Sequence, residues 1–267
     1  MEATEGRTLV GHVAEIWRYP VKSMQGERLE RAALGPGGLT GDRRFAVIDT
    51  ETGRVASAKN PRKWAGLLDL RAELHDGVLV VALPDGSELR TGRDDIDAEL
   101  SNRLGRPVAL RDAPPASAAI EIQWPDVAGL ASAGSETVEG LPAGGFFDLA
   151  PLHLLTTASL RRFRELVPAS DFDPRRFRPN VVIQTVPSRA GFVEAGWVGR
   201  TVVVGEASLS VTDPCSRCVM TTLAQSGLVA DQQVLRAAVA HNAAEVGVYA
   251  QGRHAGSLAV GDPVWVA

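Results

Sequence analysis

The feature that most constrains the fold is a succession of short apolar runs, each closed by glycine, proline or aspartate. Two predicted strands, from Gly66 to Leu74 and from Val78 to Leu83, flank His75-Asp76-Gly77, and Asp-Gly between apolar runs is a hairpin signal. Further along the chain, runs at 201–204 and 207–211 are joined by Gly205-Glu206. Short strands at close spacing with such turns are typical of barrels. The sequence therefore predicts a mostly β (α+β) fold built from barrel-like sheets.

A few peripheral helices are predicted between the strands. Apolar residues recur at helical spacing after Asp94 or Asp95, and Gly105 is placed to end that helix. Similar apolar stripes follow Thr157 and Asp231, which are residue types that favour the N-cap position of a helix.

The composition changes in the middle of the chain. Residues 114–119 form a Pro/Ala/Ser stretch, and the sequence stays rich in Gly, Ala, Pro and Ser to about Gly145. A chain of 267 residues that is 45% hydrophobic is long enough for two modest cores. We therefore predict a domain boundary near residue 125, with domains at 7–125 and 126–267.

The charge and the N-terminus exclude several classes of protein. The net charge is −4, from 28 basic and 32 acidic residues, which argues against a nucleic-acid binder dominated by phosphate contacts. Residues 1–7 are polar and acidic and lack the pattern of a signal peptide. No segment approaches the roughly 20 apolar residues that span a bilayer. We expect a cytoplasmic protein without a membrane or nucleic-acid partner.

The two cysteines, Cys215 and Cys218, lie three positions apart with Arg217 between them. Thiols at this spacing can bind a soft metal, cycle as a disulfide or supply one activated thiolate. A zinc site requires more ligands, and the five histidines include no pair at the usual spacing. A redox pair expects a helix to follow, which the sequence does not indicate. The sequence therefore favours a single reactive or metal-bound thiolate. Two buried thiols that act only as small apolar side chains remain an alternative.

Cations and hydroxyls at the ends of predicted strands are candidates for anion binding. Donors that fork or swivel are suited to phosphate recognition, although a strand-end Lys or Arg is often only solvated. The candidate segments are Lys22-Ser23, Asp42-Arg43-Arg44, Ser57-Ala58-Lys59 and Arg178-Pro179-Asn180.

In their order along the chain, the cysteine motif and the candidate anion-binding segments resemble the MOSC family, with a MOSC N-terminal β-barrel domain preceding the MOSC domain. The resemblance covers nearly the whole chain. The chain is similar to the branch that includes the mitochondrial amidoxime reducing component and its bacterial counterparts. The resemblance implies an N-terminal β-barrel-like domain, then a MOSC β-barrel domain with a few peripheral helices. It rests on residues 16–24, 41–49, 151–160, 176–183, 214–222, 247–250 and 260–264.

The resemblance also implies a molybdenum cofactor, a pterin phosphate whose dithiolene holds the metal. Cys218 matches the family's protein ligand to molybdenum and is the predicted catalytic residue. By the same match Cys215 is expected to pack in the core, and Asp213 is a loop-turn carboxylate or a proton relay. The predicted cofactor contacts are Lys22, Ser23, Arg43, Arg178, Asn180, Ser216 and Arg217.

The implied activity is the reduction of N-hydroxylated small molecules such as amidoximes, hydroxylamines and N-hydroxylated bases. The chain stops at Ala267, with no cysteines left for an iron–sulfur cluster and without the anchor of the mitochondrial relatives. Electrons are therefore expected from a separate ferredoxin- or cytochrome b5-type protein. Two alternatives stay open. One is a sulfur carrier with a persulfide on Cys218, and the other is a cofactor-binding or storage module.

Overall fold

The computed structural model describes residues 6–115, 118–125, 127–128, 130, 134–142 and 144–267. The first five residues, part of the argument against a signal peptide, lie outside the described residues. Parts of the Pro- and Ala-rich segment around the predicted boundary also lie outside them.

The described residues form eighteen strands and four short α-helices. The strands are β1 (Thr8–Arg18), β2 (Glu27–Leu29), β3 (Arg31–Gly35), β4 (Gly38–Leu39), β5 (Ala46–Asp49), β6 (Arg71–His75), β7 (Val78–Ala82), β8 (Glu88–Arg90), β9 (Val108–Arg111), β10 (Ala119–Trp124), β11 (Gly134–Glu139), β12 (Leu152–Thr156), β13 (Val181–Thr185), β14 (Thr201–Val204), β15 (Ala207–Ser216), β16 (Glu245–His254), β17 (Gly256–Ala259) and β18 (Pro263–Val266). The helices are α1 (Pro61–Trp64), α2 (Ile96–Leu104), α3 (Thr157–Leu166) and α4 (Gln233–Asn242). Among the helices described, none is long and apolar enough to cross a membrane.

Seven strands close into a barrel in the order β13-β12-β16-β15-β14-β18-β1, and β1 pairs back with β13. Every pair is antiparallel except β12 with β13. Inward side chains such as Val13, Leu154 and Val248 form one apolar cluster inside it. Closure removes the exposed edges that an open sheet would leave. The mostly β fold with a closed barrel and a few short helices is thereby confirmed.

The strand that closes the barrel comes from the opposite end of the chain. β1 lies near the N-terminus and pairs with β13 on one side and β18 on the other. Gly11 sits where both pairings meet, opposite Thr185 and Val264. A Cβ at Gly11 would lie 2.1 Å from the carbonyl oxygen of Gln184, so only glycine fits this crossing. The order of elements along the chain therefore differs from their order in the sheet.

The first half adds smaller sheets around a second apolar cluster. β6, β7 and β8 form a three-stranded meander, and β5 pairs with β9. Trp64, Leu67 and Leu100 lie in the cluster beneath these strands. The helices α3 and α4 pack on the barrel through a third cluster that includes Phe163 and Val234. Helices α3 and α4 thus cover one part of the barrel surface, and the smaller sheets of the first half lie against another part.

Several local predictions are confirmed and others need correction. The His75-Asp76-Gly77 and Gly205-Glu206 hairpins are both formed. The helix that ends at Gly105 is formed, with this glycine in the left-handed conformation. Helix α3 is capped one residue earlier than predicted, by Thr156, whose hydroxyl accepts the N–H of Ser159.

The strand predicted from Gly66 is wrong at its start. Residues Ala65–Asp69 form a 3₁₀ turn, and β6 begins only at Arg71. The region predicted as a boundary contains the hairpin β10–β11. Short apolar runs look alike as strands and as buried turns, which explains the first error. The boundary near residue 125 stays a prediction.

Gly11→Ala is expected to lower the free energy of unfolding by about 2 kcal/mol or more, since overpacking a site without free space costs roughly 1–3 kcal/mol. Gly37→Ala is the control, because a Cβ at Gly37 meets no atom within 4 Å. This control should stay within about 0.5 kcal/mol of wild type. Urea denaturation followed by circular dichroism measures both. Equal stability of the two variants would contradict the proposed crossing at Gly11.

Candidate functional site

A cavity of about 280 Å³ opens between the barrel and the smaller sheets of the first half. Its wall contains all seven predicted cofactor contacts and Cys218, whereas Asp42, Arg44 and Ser57 of the candidate anion-binding segments are not among the wall residues. The fold thus brings together residues that are more than 190 positions apart in sequence, such as Lys22 and Cys218. The fold class alone does not determine that these residues meet. The eight are Lys22, Ser23, Arg43, Arg178, Asn180, Ser216, Arg217 and Cys218. Their roles in binding and catalysis stay predictions.

The two thiols differ sharply in environment. Cys215 is fully buried in β15, whereas Cys218 is partly buried and follows the end of that strand. The backbone of Cys218 is extended, and a 3₁₀ turn begins directly after it. The carbonyl oxygen of Cys218 accepts the hydroxyl of Thr221 at 3.1 Å, which fixes the turn. Of the two cysteines, only Cys218 is among the residues that line the cavity, and its role as a ligand or nucleophile stays a prediction.

Arg217 links the Cys215 thiol to the neighbouring elements. Its Nη1 donates to the sulfur of Cys215, and its Nη2 donates to the carbonyl oxygen of Phe177 at 2.9 Å. Its backbone N–H donates to the carbonyl of Ala244 at 2.8 Å. The Nε of Arg217 is buried and has no partner among the described residues. An unpaired buried donor is costly, so a ligand acceptor that reached this Nε would stabilise the protein.

Two lysines of the cavity wall share one carboxylate. Lys22 is buried, pairs with Asp148 and donates to the carbonyl oxygen of Phe146 at 2.9 Å. Lys59 pairs with the other oxygen of Asp148 at 3.1 Å. Burial would raise the pKa of Asp148, but Lys22 and Lys59 outweigh it and hold that pKa below its ordinary value. Burial lowers the pKa of Lys22. At Lys59 burial also acts to lower the pKa, but Asp148 and Cys218 together outweigh it and raise that pKa.

Strained backbone is concentrated at this site. Six non-glycine residues in the described chain have left-handed backbone, and three of them line the cavity. These are Ser23, Arg43 and Arg178, with φ values of 65°, 47° and 53°. Left-handed residues other than glycine cluster at functional sites because the surrounding structure must hold them there. Ser23, for example, accepts the backbone N–H of Ala58 at 3.0 Å.

Asn180 lines the cavity, but its polar atoms bind backbone. Its Oδ1 accepts the N–H of His153 at 3.1 Å, and its Nδ2 donates to the carbonyl of Trp17 at 3.3 Å. The residue is buried, so it fixes the strand ends that carry other site residues. Ser216 is exposed at the end of β15. Asp213, interpreted from sequence as a loop-turn carboxylate, lies within that strand, and it is not among the cavity-lining residues.

Several wall residues were missed by the sequence analysis. His153 is buried, and its Nε2 donates to the carbonyl of Val246 at 2.9 Å. Burial, with Arg217 nearby, lowers the pKa of His153 to about 3, so the ring is neutral at physiological pH. His153 follows Leu152 in a strand and carried no signal. Asp148 lies just after the glycine-rich region that was interpreted as a boundary, and no predicted strand or helix includes it. The other missed wall residues include Trp124, Phe147, Leu149, Met220 and Tyr249.

The cavity is strongly cationic in a chain whose net charge is −4. Five cationic side chains line it against one carboxylate, Asp148. Clustered positive charge in a concave site focuses the field and attracts anions. The residues described contain no cluster of three or more His, Cys, Asp or Glu side chains that could hold a metal ion. Chemically, the cavity offers one thiol beside a cluster of positive charges of the kind that attracts anions.

Iodoacetamide is expected to alkylate Cys218 at least about tenfold faster than Cys215 in the folded protein, since reactivity requires an accessible thiolate. Mass spectrometry of the labelled peptides measures both rates. In urea the two thiols should react alike. Cys218→Ser should lose the fast label, and Cys215→Ser should keep it. Fast labelling of Cys215 in the folded protein would contradict this arrangement.

Asp148→Asn is expected to lower Tm at pH 7. The folded-state pKa of Asp148 lies below its ordinary value of 3.8, so its ion pairs stabilise the fold above that pH. This stability is lost as pH falls through the folded-state pKa, so the Tm difference should shrink below a pH of about 4. The side chain is 34% exposed, so water screens part of the effect. The control is Asp94→Asn, because the side chain of Asp94 is exposed. If the Tm difference between wild type and Asp148→Asn did not depend on pH, the stabilising role assigned to the Asp148 ion pairs would be refuted.

Comparison with known families matches both halves of the chain. The MOSC domain matches residues 144–265, and the MOSC N-terminal beta barrel domain matches residues 10–108. Mitochondrial amidoxime reducing component 2 from Bos taurus is 26% identical, over 96% of this chain and 83% of the relative. The protein of the same name from Macaca fascicularis is 24% identical over the same shares. Molybdenum cofactor sulfurase from Anopheles gambiae is 26% identical over 80% of this chain, which spans only 30% of that protein.

Among solved structures, the YUAD protein from Bacillus subtilis is similar over 97% of this chain and 96% of its own, with 11% identity and a TM-score of 0.45. YiiM from Geobacillus stearothermophilus is similar over 44% of this chain and 54% of its own, with 16% identity and a TM-score of 0.34. Likenesses at these scores do not by themselves establish the fold. With a MOSC N-terminal beta barrel domain and a MOSC domain that together match most of its length, the chain belongs to the MOSC family.

Proposed function

We propose that this protein is a molybdenum-cofactor-dependent oxidoreductase that reduces N-hydroxylated compounds such as amidoximes, hydroxylamines and N-hydroxylated bases. A separate ferredoxin- or cytochrome b5-type protein supplies its electrons. The observation that carries the proposal is the cavity that sets the Cys218 thiol among five cationic side chains. The names of the Bos taurus and Macaca fascicularis relatives support the same activity.

The wall residues fit the cofactor in their chemistry. A pterin phosphate is an anion, and Lys22, Arg43 and Arg178 would neutralise it. Molybdenum is a soft enough metal to take a thiolate, and Cys218 would supply it. The unpaired Nε of Arg217 would donate to an acceptor of the group. When bound, this cofactor supplies two-electron oxygen-atom transfer, and the protein binds, orients and protects it.

The chain's own groups would manage protons and water. Reduction of an N–OH bond to N–H with release of water consumes two protons and two electrons. Lys59 keeps its proton at neutral pH because Asp148 raises its pKa, so the Lys59 Nζ holds a proton in the cavity wall. The apolar side chains of Phe147, Leu149 and Met220 on the same wall would exclude bulk water and contact the organic part of a substrate.

A second candidate function is a sulfur carrier with a persulfide on Cys218. It is supported by the partial exposure of this thiol and by the likeness to a molybdenum cofactor sulfurase. The persulfide sulfur would be delivered to an acceptor and would not require a bound metal. A cofactor-binding or storage module is a third candidate, which would hold the cofactor without turnover.

Cys218→Ser is expected to reduce amidoxime turnover at least about a hundredfold, because it removes the single thiol in the cavity wall. The protein is purified from a host that makes the cofactor and assayed with benzamidoxime and a reduced viologen dye. Cys215→Ser is the matched control and should keep turnover within about tenfold of wild type, since that thiol packs in the barrel. Wild-type rates in Cys218→Ser would exclude the proposed role.

The same preparations separate the candidates. Molybdenum and pterin with turnover support the oxidoreductase. Cyanide-releasable sulfur that depends on Cys218, without molybdenum, supports the sulfur carrier. Bound cofactor without turnover for any N-hydroxylated substrate supports the storage module.

A further inference from the structure

Two guanidinium groups of the cavity wall lie against one buried aromatic ring. The Cζ of Arg43 is 4.4 Å from the centroid of the Tyr19 ring, and the Cζ of Arg178 is 4.2 Å from it. Tyr19 is only 2% exposed and does not itself line the cavity. The ring therefore lies behind the two cations that face the ligand space.

These two cations repel each other and are only half neutralised. Asp42 is buried, and both of its carboxylate oxygens accept from Nη1 of Arg43, one of them at 2.7 Å. Among the described residues, Arg178 has no carboxylate partner and donates instead to the carbonyl oxygen of Met24. Arg43 also donates to the backbone carbonyl of Arg178 at 3.3 Å. Burial, then the charge of Arg43, lowers the pKa of Arg178 to about 10.

The Tyr19 side chain acts here through its ring. Its hydroxyl is buried without a hydrogen-bond partner among the described residues. Its backbone N–H donates to Oδ1 of Asp42 at 2.7 Å, so the same segment fixes the carboxylate that orients Arg43. A ring face attracts cations most strongly where water is excluded. Both arginines also have left-handed backbone, so their side chains are aimed by main chain that is itself held in place.

We propose that Tyr19 is a positioning residue that holds Arg43 and Arg178 side by side as a preformed clamp for a phosphate dianion. Two cations are fixed beside one another, and only Arg43 has a carboxylate partner, so the pair keeps a positive charge that suits an anionic ligand. The clamp is inferred from the contacts of Tyr19, Arg43 and Arg178 alone. That its phosphate is the phosphate of the pterin rests on the proposed function.

The test uses the full chain made in a host that cannot synthesise the cofactor, with inorganic phosphate as the probe. Wild type should bind phosphate in titration calorimetry, and binding should weaken as salt rises. Tyr19→Phe keeps the ring and removes the unpaired hydroxyl, so its Kd should stay within about twofold of wild type. Tyr19→Leu removes the ring and should raise Kd at least about tenfold. Unchanged Cys218 alkylation rates would show that the rest of the cavity is intact.

A measurement on folded wild-type protein covers the case in which Tyr19→Leu does not fold. In NMR spectra, the ring current of Tyr19 should shift the side-chain Nε–H signals of Arg43 and Arg178 upfield. The same upfield shift is expected in Tyr19→Phe, which keeps the ring. Arg43→Lys and Arg178→Lys identify the two signals. Signals at the positions of free arginine in wild type would overturn the proposal. So would wild-type phosphate affinity in a folded Tyr19→Leu variant, or no phosphate binding by wild type.

Protein from a cofactor-making host separates the two sources of phosphate. If it carries pterin, inorganic phosphate should no longer bind, which assigns the clamp to the cofactor phosphate. If it carries no pterin yet still binds phosphate through Tyr19, the clamp stands and the proposed function fails.

Discussion

The site depends on how the barrel closes. Asn180 makes four hydrogen bonds at the closure, since its backbone N–H and side-chain Oδ1 bind His153 while its carbonyl and Nδ2 bind Trp17. It therefore ties the end of β1 to the start of β12 just before β13 begins. The chain leaving β1 leads directly to Lys22 and Ser23, and the chain entering β13 carries Arg178. Without this closure, the N-terminal cations would have no fixed position relative to Cys218.

The cavity combines features that each oppose folding. Like charges are brought together at Arg43 and Arg178, an arginine Nε is left unpaired, and three non-glycine residues have left-handed backbone. Real proteins break such local rules mainly at functional sites, where a ligand restores the balance. An anion with several acceptors would offset the repulsion and satisfy the unpaired donor. The same features that weaken the empty cavity are therefore those that favour binding.

Many of the residues in the cavity wall could be predicted from the sequence, although the signal differed from one residue to another. Lys22, Arg43 and Arg178 stand at the ends of recognisable strands, and the resemblance to a family placed them together with Cys218. Lys59 was singled out as part of the candidate anion-binding segment Ser57-Ala58-Lys59, and it lines the cavity. Its partner Asp148 was not singled out, because a carboxylate between the glycine-rich segment and the next predicted strand has no periodic pattern around it.

Other features depend on tertiary structure that sequence patterns do not encode. His153 and Tyr19 look like ordinary members of apolar strands, and their roles follow only from what packs against them. That β1 belongs to the barrel of the second half could not be derived from alternation, because strand patterns do not specify a distant partner. The helix cap at Thr156 was missed by one residue because both positions are threonine and element boundaries are the least certain part of such predictions.

The central claim is that this cavity is a binding site for the molybdenum cofactor. The most direct test is the molybdenum and pterin content of the wild-type protein purified from a host that makes the cofactor. The account predicts close to one molybdenum and one pterin per chain. Neither metal nor pterin, in protein from a host that loads a control molybdenum enzyme, would contradict it.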